Sequence, residues 1–182
     1  MIRGRRLAQI KGTTIRPTSD RVRSSLFNIL GQRLSGCTTL DLFAGTGSLG
    51  IESLSRGSEK AVFIDKSSKA LEIIKKNLSI CGYEGRSVVT KEELPKGLAR
   101  LHDLGFSKFD LVFIDPPYGM EYIAPTIVKL IEENLLAQNS RVVAESSTNA
   151  NDPFPQKVYN LELNLTRSYG STLIGVYSYL GE

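Results

Sequence analysis

Five short apolar runs, at 39–43, 61–65, 86–90, 109–115 and 141–145, recur along the chain, and each of the first four is followed by an amphipathic stretch. Runs this short do not make buried helices, and because they are continuously apolar, both of their faces must be covered. That alternation is the signature of parallel strands layered between helices, with helices predicted at 48–56, 67–81, 94–103 and 122–136. An earlier helix is predicted from Thr18 to about residue 33, since Val22, Leu26, Phe27 and Leu30 fall at helical spacing and Thr18 or Ser19 can cap it. Beyond Pro155 the pattern changes: 157–168 and 172–180 are rich in Val, Tyr, Leu and Thr and flank Tyr169-Gly170-Ser171, which reads as an antiparallel hairpin. The expectation is a seven-stranded, mostly parallel sheet with helices on both faces. At 182 residues one core is the default, giving a single domain over 1–182 with an arm at 1–17, a helix at 18–34 and a core at 35–182.

Composition removes several classes of function. No apolar run approaches the roughly 18 residues of a bilayer span, and basic residues interrupt the N-terminus, so neither a membrane span nor a secretory signal is expected and the predicted location is the cytoplasm. Cys37 and Cys81 have no ligating neighbours at metal spacing, and no metal is expected. His102 is the only histidine, which excludes most histidine-based acid–base schemes. Charge is unevenly spread: Arg3, Arg5, Arg6, Lys11, Arg16, Arg21 and Arg23 face Asp20 alone in the first 23 residues, although the whole chain carries only +4. A basic arm of this kind suits a phosphate backbone, and a solvated tail is the plainer alternative.

The first run leads into Asp41-Leu42-Phe43-Ala44-Gly45-Thr46-Gly47-Ser48-Leu49-Gly50. Glycines between a strand and a helix allow a tight turn and let a ligand approach backbone N–H groups. Asp65, at the end of the second run, can accept both hydroxyls of a ribose. The spacing also satisfies the dinucleotide fingerprint, and a structural turn would use glycine too. Asp41 favours S-adenosylmethionine, because a carboxylate there suits the ammonium of a methionine moiety and would repel a pyrophosphate. No Lys-Ser or Lys-Thr follows the glycines, so a P-loop is excluded.

The fourth run ends in Asp115-Pro116-Pro117-Tyr118-Gly119. Each proline fixes its own φ and holds its predecessor extended, so the Asp115 carboxylate and the Pro116 carbonyl form a stiff pair of acceptors. Two acceptors on one amino group free its nitrogen lone pair from the aromatic ring of a base, which is what attack on a sulfonium methyl requires. Tyr118 offers a face on which an extruded base can stack. The plainer alternative is a Pro-Pro turn with a capping acid. The pattern points to methyl transfer onto an exocyclic base amine.

With these motifs in place the chain resembles the bacterial methyltransferases that modify N2 of a guanine in small-subunit (16S) ribosomal RNA. The likeness runs through Arg16-Pro17-Thr18-Ser19-Asp20-Arg21-Val22-Arg23 and Leu26-Phe27-Asn28, the stretch from Asp41 to Glu52, Ser55-Arg56-Gly57, the Asp115–Tyr118 tetrapeptide and Tyr169-Gly170-Ser171-Thr172. It implies a Rossmann-like class I methyltransferase fold, donor contacts from Asp41, Phe43, Ala44, Gly45, Thr46, Gly47 and Asp65, and catalytic roles for Asp115, Pro116, Pro117 and Tyr118. It also implies that the Thr18–Arg23 segment helps close over the site and meets RNA, with ribosomal RNA in an assembling small ribosomal subunit as the setting. Two departures stand out: Ser24 replaces the family's usual Glu, and where an Asp or Asn facing the adenine amine is expected after the third strand, Thr90-Lys91-Glu92-Glu93 offers Glu92 as a candidate, with a solvated charge run on a helix surface as the plainer alternative. N6 methylation of adenine in DNA or RNA is the nearest rival. A dinucleotide-dependent oxidoreductase and a catalytically silent RNA-binding module are the rivals from other classes.

Overall fold

A computed structural model describes residues 7–8, 20–149 and 154–181. Apart from Leu7 and Ala8, the arm expected at 1–17 lies outside the described residues, as do the caps expected at Thr18 and Ser19. Two compact units make up the chain, one through Lys91 and one from Glu92.

In the first unit, α1 (Asp20–Leu30) turns Val22, Leu26, Phe27 and Leu30 inward, as the spacing predicts. Three parallel strands follow, β1 (Thr38–Leu42), β2 (Lys60–Asp65) and β3 (Ser87–Lys91), laid side by side as β3-β2-β1. Leu40 pairs with Val62 and Val62 with Val88, so the apolar runs register on one another. Helices α2 (Ser48–Ser55) and α3 (Ser68–Cys81) connect them. The Ser67 hydroxyl starts α3 by accepting the Ala70 N–H at 3.3 Å, and Gly82 ends it in the left-handed conformation. Ile51, Leu54, Ala61, Phe63, Ile74 and Leu78 form one core cluster. Each of the Ile, Leu and Phe side chains among them contributes about 1.5–3 kcal/mol when fully buried.

How closely α2 lies on the sheet is set by Gly50. A Cβ there would sit 2.4 Å from Phe63 Cε1 and 3.1 Å from Asp41 Oδ2. The last glycine of the loop is therefore a packing requirement, because no side chain fits between helix and strand. On its outer side α2 is clipped to α1: Arg56 stands 4.7 Å over the Phe27 ring and bonds Glu52 at 2.7 Å.

In the second unit the strand order is β4-β5-β8-β7-β6. Strand β4 (Phe109–Ile114) runs parallel to β5 (Leu136–Ser147), with α5 (Ile123–Glu132) as the crossover. β8 (Thr172–Tyr179) is antiparallel to β5 and to β7 (Leu161–Tyr169), which gives the expected C-terminal hairpin.

Eight strands are seen among the described residues where seven were expected. The run expected at 157–168 is broken by Tyr159, at φ 51°, and Asn160, so β6 (Lys157–Val158) folds back to pair Val158 with Leu161. The helix expected at 94–103 is a 3₁₀ turn over Lys96–Ala99 followed by a single α turn, α4 (Arg100–Asp103), because Pro95 and Gly97 are poor formers of a continuous helix. α5 stops at Glu132, short of the expected 136, where Asn134 takes the left-handed conformation that closes helices. β5 accordingly begins at Leu136, earlier than the expected 141.

Gly50→Ala should lower unfolding stability by roughly 1–3 kcal/mol, the ordinary penalty of overpacking, or about 2–12 °C in melting temperature for a chain of this size. Denaturant unfolding of the purified variant checks this. A stability equal to wild type would mean that α2 can retreat from Phe63 freely.

Candidate active site

The glycine loop is built entirely within the first unit. Asp41 on β1 is buried, and its Oδ2 accepts the Gly50 N–H at 2.9 Å. Burial pushes its pKa up to about 7, the Gly50 N–H opposes that rise, and the nearby Asp65 charge adds to it. Asp65, closing β2, accepts the Gly45 N–H on one carboxylate oxygen at 2.9 Å and the Ser67 N–H on the other at 2.8 Å. The backbone between these anchors is bent hard: Phe43 has φ 57°, Gly45 54° and Gly47 75°. For a bulky residue such as Phe43 this conformation costs of order 1–3 kcal/mol, strain of the kind concentrated at ligand sites. A Cβ on Gly45 would meet only Phe43 O, at 3.9 Å, so the backbone there stays approachable. Ala44 N–H donates to Ile64 O at 3.0 Å and Gly47 N–H to Ala44 O at 2.7 Å. Of the two acids singled out in the sequence, Asp65 is thus bonded to the loop at Gly45 and Asp41 to the helix that follows it at Gly50, and carboxylates so placed can accept from hydroxyl or ammonium groups.

The Asp115–Tyr118 segment leaves the buried end of β4 in the second unit. Asp115 is half-buried, Pro116 buried and Pro117 exposed. Tyr118 is 49% exposed, yet its hydroxyl donates to Glu145 Oε1 at 3.0 Å. Burial, the Glu145 charge and the Asp115 charge push the Tyr118 pKa up to about 12. The phenol therefore stays protonated and tethered while much of the ring faces outward. An aromatic plane held at one end is suited to stacking, since little freedom remains to be lost on binding.

The other predicted residues are dispersed. Glu92 follows β3 in the second unit, where its carboxylate is 3.7 Å from Arg100 Nε. Arg3, Arg5, Arg6, Lys11 and Arg16 lie outside the described residues. Arg21 is exposed on α1, whereas Arg23 bonds Asp20 at 2.7 Å and stands 4.0 Å from Glu52, so an intramolecular network engages it. Ser24 is exposed on α1. His102 Nε2 contacts Glu133 O at 2.9 Å in a structural setting. Among the described residues no cluster of His, Cys, Asp and Glu could hold a metal, and no helix is long and apolar enough to cross a membrane.

Two participants were missed in the sequence. Glu145, which tethers Tyr118, is an acid inside a buried strand run. Asn77 is fully buried on α3 and donates to Thr46 O of the glycine loop at 2.9 Å. Both carried a legible signal, a polar residue at a position that the pattern assigns to the core.

Comparison with known proteins places this geometry among relatives. The profile of the family described as conserved hypothetical protein 95 matches residues 1–178. A Bacillus subtilis protein with the provisional name rRNA methyltransferase YlbH is 34% identical over 98% of this chain and 96% of its own. Ribosomal RNA small subunit methyltransferase D of Haemophilus influenzae is 35% identical over 79% of this chain and 74% of its own. The solved RNA methyltransferase of Salinibacter ruber, in complex with S-adenosyl-L-homocysteine, matches with a TM-score of 0.65 at 14% identity over 92% of this chain and 95% of that one. At that identity the likeness is one of fold, and the fold is the Rossmann-like one of methyltransferases.

The raised Asp41 pKa has a measurable sign. In the unfolded chain this carboxyl loses its proton near its ordinary 3.8, and in the fold near 7. The fold therefore holds the extra proton in that window, and stability declines as pH rises through it and levels above about 7. Asp41→Asn removes the decline. The wild type's stability relative to the variant, from urea unfolding, should fall between about pH 4.5 and pH 7 and stay constant above. A difference independent of pH across that range would remove the buried acid from the account.

Proposed function

We propose, because the chain belongs to the family described as conserved hypothetical protein 95, that it transfers a methyl group from S-adenosylmethionine to the exocyclic N2 amine of a guanine in small-subunit ribosomal RNA. The observation that carries this reading is the Asp115-Pro116-Pro117-Tyr118 segment, leaving a buried strand end with its tyrosine tethered to Glu145 and its ring half exposed. The names of the relatives support ribosomal RNA as the substrate class.

The glycine loop fits the donor. Asp41 would take the ammonium, the backbone from Phe43 to Gly47 would line the amino-acid portion, and Asp65 would take the ribose hydroxyls. When bound, S-adenosylmethionine supplies an electrophilic methyl on a sulfonium. A dinucleotide fits less well: Asp41 already occupies the Gly50 N–H in the first turn of α2, where a pyrophosphate would need a donor and would meet a carboxyl instead.

In the other half, the Asp115 carboxylate and the Pro116 carbonyl each accept one N–H of the target amine, which frees the nitrogen lone pair. Tyr118 stacks on the base, and Glu145 holds the ring in place. Positioning and preorganised acceptors supply the acceleration, with no covalent intermediate on the protein. The core at 35–182 carries this chemistry, and the basic arm at 1–17 engages phosphates of the assembling subunit.

Mass spectrometry of ribosomal RNA nucleosides, from cells with and without the protein, should show the loss of one N2-methylguanosine from the small subunit. Loss of N6-methyladenosine in its place would reassign the base, and an unchanged profile would sink the proposal. Asp115→Ala should reduce methyl incorporation by about 10²-fold or more while S-adenosylhomocysteine still binds.

A further inference from the structure

Asn77 makes three hydrogen bonds to two segments remote from it in sequence. Its Oδ1 accepts the Ala8 N–H at 2.7 Å, and its Nδ2 donates to Ala8 O at 3.1 Å and to Thr46 O at 2.9 Å. One planar amide thus holds both polar groups of Ala8 and a carbonyl in the middle of the glycine loop. It sits on the buried stripe of α3 beside Ile74 and Leu78. A buried amide that loses a partner is penalised by about 1–3 kcal/mol for each group left unpaired, so its orientation is stable only while all three bonds are made.

The segment it holds belongs to the basic arm: Arg5, Arg6 and Lys11 all lie within three residues of Ala8 in the sequence.

We infer that Asn77 is a positioning residue that couples the basic arm to the methyl-donor loop. Seating the arm fixes the Thr46 carbonyl and with it the loop, and donor binding in turn favours the seated arm. RNA phosphates engaged by the arm and the donor in the loop then raise each other's affinity, as reciprocity requires of coupled sites. This rests on the donor-loop reading above. A clip that merely stabilises the fold would leave the two affinities independent.

Calorimetric titration of the full chain with S-adenosylhomocysteine, with and without total ribosomal RNA from cells lacking the protein, tests the coupling. Ala8→Pro removes the N–H that Asn77 accepts and leaves α3 untouched; Asn77→Asp removes both N–H donors. Each should weaken S-adenosylhomocysteine binding roughly fivefold or more, the double variant no further, and ribosomal RNA should tighten binding to the wild type by a similar factor but not to either variant. Wild-type affinity in Ala8→Pro, additive losses in the double variant, or no effect of RNA on the wild type overturns the coupling. Should Asn77→Asp not fold, Ala8→Pro with and without RNA decides it alone. A wild type that binds no S-adenosylhomocysteine overturns the donor reading and the coupling with it, whereas equal binding by wild type and Ala8→Pro overturns the coupling only.

Discussion

The bond from the Gly50 N–H to the buried carboxyl of Asp41 is the interaction on which the first unit turns. It forms only because α2 lies close enough to the sheet for a Cβ at position 50 to collide with Phe63. The contact joins the start of a helix, where unpaired N–H groups gather, to the end of a strand, where an acid would otherwise be expelled into water. Compensation is incomplete, since a single N–H does not replace full hydration, and the carboxyl keeps its proton up to about pH 7. An acid so poorly solvated is ready to receive a cation, because a positive ligand group supplies what burial took away.

From that anchor the loop is held at further points. Asp65 ties down the Gly45 N–H and Asn77 the Thr46 carbonyl, so the left-handed backbone at Phe43 is over-determined by its surroundings. Strain at one residue persists when several bonds around it would have to break to relieve it. The second unit applies the same logic to a side chain: the hydroxyl of the half-exposed Tyr118 is tethered to Glu145 and also hydrogen-bonds the Thr172 side chain. In both places a buried or half-buried polar side chain fixes a group that carries the proposed chemistry.

Much of this was readable from the residues. The alternation of apolar runs and amphipathic stretches reported the parallel strands, because continuously apolar pentamers have no other stable burial. The glycine loop and the hairpin at Tyr169–Thr172 declared themselves through turn chemistry. What escaped was decided by tertiary partners or by uncommon backbone. Tyr159 takes a left-handed conformation without being a glycine, so nothing marked the break that creates β6. Gln138-Asn139-Ser140 reads as loop, yet these residues continue β5 to its start at Leu136. Asn77 falls on the same stripe as Ile74 and Leu78, a place where amphipathic spacing asks for an apolar residue. A buried asparagine must find partners, and the sequence could announce the need without naming Thr46 or Ala8.

Charge raises a problem that the role proposed for the arm answers. The side chains proposed to hold donor and base, Asp41, Asp65 and Asp115, with Glu145 behind Tyr118, are all acids, and those of them that are ionised repel a phosphate backbone. An enzyme of this kind needs its attraction for RNA to come from elsewhere in the chain. Of the two arm-side arginines within the described residues, Arg23 is engaged with Asp20 and Glu52, so α1 offers little of that attraction beyond Arg21. The five remaining basic residues of the first 16 are the source proposed for it, and on that proposal their value depends on where the arm is held. A tethered cation acts at an effective concentration set by its anchor, so on the proposed role of the arm a hydrogen-bonded clamp at Ala8 would do more for RNA recruitment than the same charges on an untethered tail.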